Sequence, residues 1–353
     1  MKSKQTGTSV RVGILIPTYK RKDYLEQSLR SAIAQTYPDI EIIVIDNGTT
    51  DEIGRYVSGL NDPRITYIKN TTDLGLIGSI RKGMRLFSET VAWCTILPDD
   101  DLLDGYFIES MAAYVEKHQG IDVVHGHRVL IDAQGAKIGE TSVPPEHETA
   151  VEYLVSRSQF IRQTFLAGVF FSCSAYDRIS GYPEFATGMA SDDALIFGLS
   201  LRQGLYFNPQ ARASVRMHLE AESHSSSNVF GHMQAFQDYQ NYIVRMTSID
   251  IGLPASDHAR IRQALSNYIA HSISGLWIRR VQELLSGDIR SRDKELNDLY
   301  TLVRSKKYPF TLRVRAETLL AIVLRWNPEA SAWYRRYWDD RQTRRVKKES
   351  RRS

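Results

Sequence analysis

Asp99, Asp100 and Asp101 stand together between the apolar run Val91–Leu97 and Leu102-Leu103. A short apolar run bounded in this way reads as a buried strand, so three negative charges at its end repel one another unless something positive neutralises them. Hard divalent cations, Mg²⁺ or Mn²⁺, are held by one or two carboxylates together with the oxygens of a substrate phosphate. In open α/β sheets such ligands sit at the carboxyl ends of strands. The competing reading is a solvated turn in which one of these acids, or Asp104, caps the next helix. Three further polar groups follow or precede apolar segments: Pro17-Thr18-Tyr19 after Val10–Ile16, Asp46 after Ile40–Ile45, and Asp192-Asp193 ahead of an apolar helical run. Each has an ordinary explanation by itself. Asp46 can close an Asx turn with Gly48, and Asp192 can cap a helix.

The elements that must bring these groups together are legible as alternating periodicities. Val10–Ile16, Ile40–Ile45, Ile65–Ile68, Val91–Leu97 and Ile121–His125 are apolar runs of strand length. Between them, Leu25, Leu29, Ala32 and Ile33, then Ile80, Met84 and Phe87, then Phe107, Met111 and Val115 recur at helical spacing. Asp23 and Glu26 fit an N-terminal capping pair for the first helix. Strands alternating with helices at this spacing mean βαβ units and a mostly parallel sheet. Successive parallel strands end on one edge, so Thr18, Asp46, the acid triplet and Asp192-Asp193 are expected to converge there, and sites are recognised by such grouped roles. After Pro144-Pro145 the pattern is mixed. Ala167–Phe171 reads as a strand, Asp192–Arg202 as a helix, and Leu205–Phe207 and Arg212–Met217 as extended. From about Val229 the chain reads as helices only.

With those residues in view, the chain resembles the family 2 glycosyltransferases of GT-A fold. Ile14-Leu15-Ile16-Pro17-Thr18-Tyr19-Lys20-Arg21 is similar to that family's opening strand and turn. Gln35-Thr36-Tyr37-Pro38 and the block Glu41–Asp51 resemble its next element. Leu97-Pro98-Asp99-Asp100-Asp101 resembles its DXD-type metal motif, and Asp192-Asp193 its acidic pair at the start of a helix. The resemblance covers Val10 to His218. It implies a GT-A nucleotide-diphospho-sugar transferase domain over residues 1–228, with a nucleotide-binding half at about 10–128 and an acceptor half at about 129–228. Residues 229–353 form a separate helical region with a basic tail.

The resemblance also implies roles. Pro17, Thr18, Tyr19 and Asp46 hold the base and ribose; this chain has Asp46-Asn47 where the family often has two acids. Arg81 approaches the diphosphate. Asp99 goes to the ribose and Asp100 to the cation, with Asp101 kept as a second metal candidate because the register can slip by one. Asp192 belongs to the nucleotide-sugar site. Asp193 takes the proton from the acceptor hydroxyl, which makes the reaction a single displacement with inversion. His218 completes the metal or diphosphate site in preference to His224. The expected cofactor is Mn²⁺ or Mg²⁺. The expected donor is a nucleotide-sugar, UDP before GDP or dTDP, and the acceptor a glycan or glycolipid of a bacterial cell surface. The alternative is a sugar-nucleotide-binding or scaffold protein of the same fold with little turnover.

Composition narrows the field further. Hydrophobic content of 42% and charged content of 24% are those of an ordinary globular chain. The net charge of +4 is uneven: nine basic residues against three acids lie between Arg335 and Ser353. Trp333, Tyr334, Tyr337 and Trp338 share a helical face there, flanked by arginines, which suits either an anionic membrane surface or packing and self-association. No nucleic-acid motif accompanies the basic residues, so no nucleic-acid partner is expected. Cys94 and Cys173 make no disulfide framework, and Cys94 reads as a reduced, buried thiol. Neither a secretory signal nor a run of about 20 apolar residues is present, so a cytoplasmic protein is expected, with the inner face of the cytoplasmic membrane open as its place of work. A nucleotidyltransferase needs a glycine-rich loop after the first strand, and a dinucleotide enzyme needs G-x-G-x-x-G there. Pro17-Thr18-Tyr19-Lys20-Arg21 stands there instead, which argues against the first and excludes the second.

Overall fold

A computed structural model describes residues 10–48, 50–217, 228–248, 252–286 and 298–301, with Val314, Thr318 and Leu319. The elements in chain order are β1 (Val12–Thr18), α1 (Lys22–Ile33), β2 (Ile40–Asp46), α2 (Glu52–Gly59), β3 (Ile65–Lys69), α3 (Gly75–Met84) and β4 (Trp93–Ile96). They continue as β5 (Leu102–Leu103), α4 (Phe107–Lys117), β6 (Val123–Ile131), β7 (Lys137–Glu140), β8 (His147–Glu148), α5 (Ala150–Ser158) and β9 (Val169–Ser172). The last are α6 (Cys173–Arg178), α7 (Ser191–Ser200), β10 (Leu205–Arg216), α8 (Val229–Ser248) and α9 (Ala255–Ser286).

All strands join one sheet in the order β3-β2-β1-β4-β9-β6-β10-β5, with β7 on β6 and β8 on β10. β1 is parallel to β2 and β4, β2 to β3, and β6 to β10. β9 enters antiparallel between β4 and β6. The first half is therefore the alternating parallel unit that the apolar runs require, and β1, β2 and β4 are buried on both faces, with β3 partly exposed at the edge. Along β1, Ile14 and Ile16 pack with Leu25, Leu29, Ile42, Val44 and Phe107 on one side of the sheet. Leu15 points the other way, toward Ile43, Ile45, Ile80 and Ile96, in a core that also holds buried residues of α5, α7, α8 and α9. The GT-A-type fold expected from the sequence is the fold observed.

Several local expectations are corrected. The N-cap of α1 is Arg21, without a side-chain cap, and Asp23 lies in the first turn instead. The true capping box is at α5, where Thr149 accepts from the Glu152 N–H and Glu152 accepts from the Thr149 N–H. Leu205–Phe207 and Arg212–Met217 are not two segments; they belong to one strand, β10, whose pairing with β6 shifts register between Asn208 and Arg212. Pro209 lacks the ladder donor, and a bulge absorbs it. α8 begins at Val229, where the helical region was expected, and α9 follows Gly252-Leu253-Pro254. Cys94 on β4 and Cys173 at the start of α6 bring their sulfurs to 3.1 Å, although 79 residues separate them. The aromatic and basic tail from Trp333 to Arg352 lies outside the described residues. No described helix is long and apolar enough to cross a membrane.

Candidate active site

A cleft of about 550 Å³ opens at the carboxyl ends of β1 and β4. One wall is Pro17, Thr18, Tyr19 and Arg21 from the turn after β1, with Asn47, Asp73, Gly75, Leu76 and Ser79. Its floor is Pro98-Asp99-Asp100-Asp101, and the opposite wall is Thr164, Phe165, Leu166, Asp192 and the end of β10, Val215 to Met217. The strand-end rule thus brings together Thr18, the acid triplet and Asp192 as the sequence predicts.

The three acids do not share one environment. Asp99 Oδ2 accepts from the Thr18 hydroxyl at 2.7 Å and from the Tyr19 N–H at 3.3 Å. Burial, with the neighbouring Asp100 charge, pushes its carboxyl up to about 6 despite those bonds. Asp100 pairs with Arg21 Nη1 at 2.9 Å. Asp101 is buried, and its Oδ1 accepts from the Arg216 N–H at 2.8 Å; burial and the Asp100 charge hold its carboxyl well above the usual range. Arg216 spends its guanidinium on the carbonyls of Asp100, Asp132 and Ala133 and on Gln27, so it fastens the floor of the cleft. Arg21 reaches the same floor from the opposite wall.

Asp192 and Asp193 are adjacent in the first turn of α7, and only Asp192 lines the cleft. It accepts from the Tyr182 hydroxyl, and burial keeps its carboxyl above the ordinary value. Asp193 is 4% exposed and turned inward. It accepts from Arg157 Nε at 2.6 Å and Nη2 at 2.9 Å, Tyr153 at 3.0 Å, Thr164 at 2.6 Å and Tyr268 at 2.8 Å. Burial pushes this carboxyl up, but the Arg157 charge and the hydrogen bonds outweigh it, and Asp193 is held below the carboxylate range. A carboxylate so fully occupied and so weakly basic is unsuited to taking a proton, contrary to the role expected of Asp193.

Two other expected contacts are also absent from the cleft. Asp46 is fully buried; its oxygens accept from the Gly48 N–H at 2.7 Å and the Tyr67 hydroxyl at 2.8 Å. It is the Asx turn, and its neighbour Asn47 faces the opening. Arg81 donates to the carbonyls of Tyr182 at 3.2 Å and Ser180 at 3.5 Å and faces Glu184, which ties it to the segment before α7. His218 and His224 lie outside the described residues.

Sequence reading missed Arg21, Asn47, Asp73 and the Thr164–Leu166 wall as site residues. Arg21 stood within the recognised opening block and carried a usable signal: the only cation so close to the first strand end besides Lys20. The wall at Thr164 had none, because its place depends on β9 running antiparallel.

The residues present suit a hard divalent cation. Asp99 and Asp100 are adjacent at the floor, and the burial and the Asp100 charge that raise the Asp99 carboxyl are costs that a cation beside it would offset. Among the described residues no three His, Cys, Asp or Glu side chains gather into a ready-made cage. That pattern fits an ion that takes its remaining ligands from a diphosphate and water.

Comparison with known proteins agrees with this geometry. An uncharacterized glycosyltransferase of Haemophilus influenzae is 30% identical over 131 residues, 36% of this chain and 40% of its own length. The UDP-Glc:alpha-D-GlcNAc-diphosphoundecaprenol beta-1,3-glucosyltransferase WfaP of Escherichia coli is 38% identical over 68 residues, 19% of this chain and 27% of that protein. The chain thus spans half or less of the length of the curated relatives it matches. The solved structure of S. aureus TarS 1–349 in complex with UDP-GlcNAc has a TM-score of 0.59 at 14% identity, covering 94% of this chain and 92% of that one; this likeness is one of fold. The family model for glycosyl transferase family 2 matches residues 13–179, the segment that carries β2 to β4 and nearly all of β1, the acid triplet and the wall at Thr164. Over those residues, a little under half of the chain, the sequence matches glycosyl transferase family 2.

Proposed function

We propose that the chain transfers a sugar from a nucleoside diphosphate sugar, UDP before GDP or dTDP, to a hydroxyl of a glycan or glycolipid, with inversion at the anomeric carbon. The observation that carries this reading is the meeting of Thr18, Asp99, Asp100, Arg21 and Asp192 around one cleft. The names of the relatives, WfaP among them, support a nucleotide-sugar donor and a lipid-linked acceptor.

In this reading the wall of Thr18, Tyr19 and Asn47 takes the nucleoside, and Asp99, oriented by the Thr18 hydroxyl, takes the ribose. Asp100 holds the Mg²⁺ or Mn²⁺ together with the donor's phosphates, and Asp101 stays with Arg216 as part of the floor. The cation, when bound, neutralises the departing diphosphate. Arg21, a cleft-lining cation beside Asp100, supplies a second positive charge there, the task the sequence had given to Arg81. Asp192 replaces Asp193 as the base. Its raised carboxyl and single side-chain donor, Tyr182, leave it able to accept the proton of the attacking hydroxyl. Attack opposite the leaving diphosphate then inverts the configuration.

Calorimetric titration of UDP, GDP and dTDP, with and without Mn²⁺, tests the site. UDP is expected to bind tightest and only in the presence of the ion. Equal binding without metal, or no nucleotide binding, refutes the assignment.

A further inference from the structure

The buried cluster around Asp193 performs no step of the transfer, yet it joins three parts of the molecule. Tyr153 and Arg157 come from α5, Thr164 from the wall of the cleft, and Tyr268 from α9. The Tyr268 hydroxyl donates to Asp193 Oδ2 at 2.8 Å and accepts from Arg157 Nη2 at 3.0 Å. Its ring lies 5.2 Å from the Arg157 guanidinium. The same residue meets the other end of the wall segment. Phe160 has a φ of +58°, a conformation that costs an aromatic residue energy and persists only when its surroundings impose it. Its ring sits 6.0 Å from that of Tyr268 and 4.8 Å from that of His271, both on α9. Arg157 also donates to the Arg162 carbonyl between them.

We propose that Tyr268 is a positioning residue: acting through Asp193 and Phe160, it fixes Asp192 and the wall Thr164–Leu166, so that α9 completes the acceptor side of the cleft. α9 lies outside the segment matched by the family. The inference rests on the glycosyl-transfer reading for the role of Asp192 and on geometry alone for the linkage. A buried ion pair stabilises little compared with apolar packing of the same volume. What a fully bonded one supplies is a fixed position, and a transfer site must hold its groups to about 0.5 Å.

The test uses the full chain and Tyr268→Phe, which keeps the ring and removes both hydroxyl bonds. Amide hydrogen exchange is measured over residues 160–166 and 191–194, with β2 as the internal reference. UDP affinity is measured by calorimetry, and turnover by UDP release from UDP-GlcNAc and UDP-glucose. Exchange in the two segments is expected to rise roughly tenfold with β2 unchanged, and kcat to fall about tenfold while the donor KM and UDP affinity hold. Phe160→Ala, which cuts the second contact and spares Asp193, is expected to raise exchange in 160–166 alone and serves if Tyr268→Phe does not fold. Exchange changes confined to α8 and α9, or a kcat within twofold of the parent, overturn the proposal. A parent chain that binds no UDP and turns over neither sugar defeats the transfer reading instead; the exchange pattern then still decides whether Tyr268 holds the wall.

Discussion

Asp192 and Asp193 are chemically identical neighbours with opposite surroundings, and their variants should part accordingly. Asp192→Asn is expected to lower transfer about a thousandfold, in the range of general-base removal, with UDP affinity within a few-fold by calorimetry. Asp193→Asn leaves the Arg157 charge buried without its partner, and urea unfolding should show a loss of about 3 kcal/mol. The sequence placed an acidic pair at this helix start correctly and gave the base role to Asp193, whereas we propose Asp192 for it. Its inward partners Tyr153, Thr164 and Tyr268 come from distant stretches that no local spacing connects. A second residue-scale expectation concerns His125. Arg128 Nη1 donates to its Nδ1 at 2.7 Å, and since arginine only donates, that nitrogen carries no proton. Burial, then the Arg128 charge, lowers its pKa well below 6.5. The unfolded chain therefore binds a proton that the folded one refuses. The stabilisation is present above pH 6.5 and is lost as pH falls below it, by about 1.4 kcal/mol per unit for this one group. His125→Gln, compared with the parent by urea unfolding at pH 5.5 and 7.0, should lack that part of the slope.

At the scale of elements, apolar runs announced β1, β2 and β4 within a few residues because these strands are buried on both faces and carry little else, while β3 is only partly buried and β6 runs on past the apolar stretch to Ile131. β9 was also read as a strand, but its direction was not legible, since a four-residue apolar run reads the same in either orientation. The helices α2 and α5 were overlooked, although α5 carried its signal in the Thr149–Glu152 spacing. Where β6 and β10 cross the bulge, Gly126 has no room for a side chain: a Cβ there would stand 2.5 Å from the Ala211 carbonyl oxygen. Backbone cannot yield as a flexible side chain does. Gly126→Ala should cost about 2 kcal/mol by thermal or urea unfolding, and more if the register shift at Asn208 is disturbed.

For the whole molecule, the division at residue 228, read from the switch to helices only, meets a continuous core. Val229, Met233, Phe236 and Tyr239 of α8 and Ile261, Leu265, Ile269 and Trp277 of α9 are buried in the same cluster as Leu154, Phe197 and β4. Trp277 also donates its indole N–H to the Thr318 hydroxyl at 2.7 Å, so described residues beyond α9 reach the same core. A chain ending at residue 228 would leave the outer faces of α5 and α7 uncovered. Its expected behaviour is aggregation or dye-binding, read by size-exclusion chromatography and fluorescence against the full chain. Composition could show that the later segments are helical and apolar-faced, but not that their apolar faces complete an earlier core.

The acid run is strapped at both ends. β4 stops at Ile96, and β5 begins at Leu102 on the far edge of the same sheet, paired to β10. Between them the Pro98 carbonyl accepts from the Ser28 hydroxyl, the Asp100 carbonyl from Arg216, and the Asp101 N–H donates back to Pro98. Most surface connections absorb an inserted or deleted residue by bulging. This one has no slack to give, so a change of length between Ile96 and Leu102 would slide three carboxylates past Thr18 and Arg21 together. The number of residues in that stretch is therefore as fixed as the identity of its three acids.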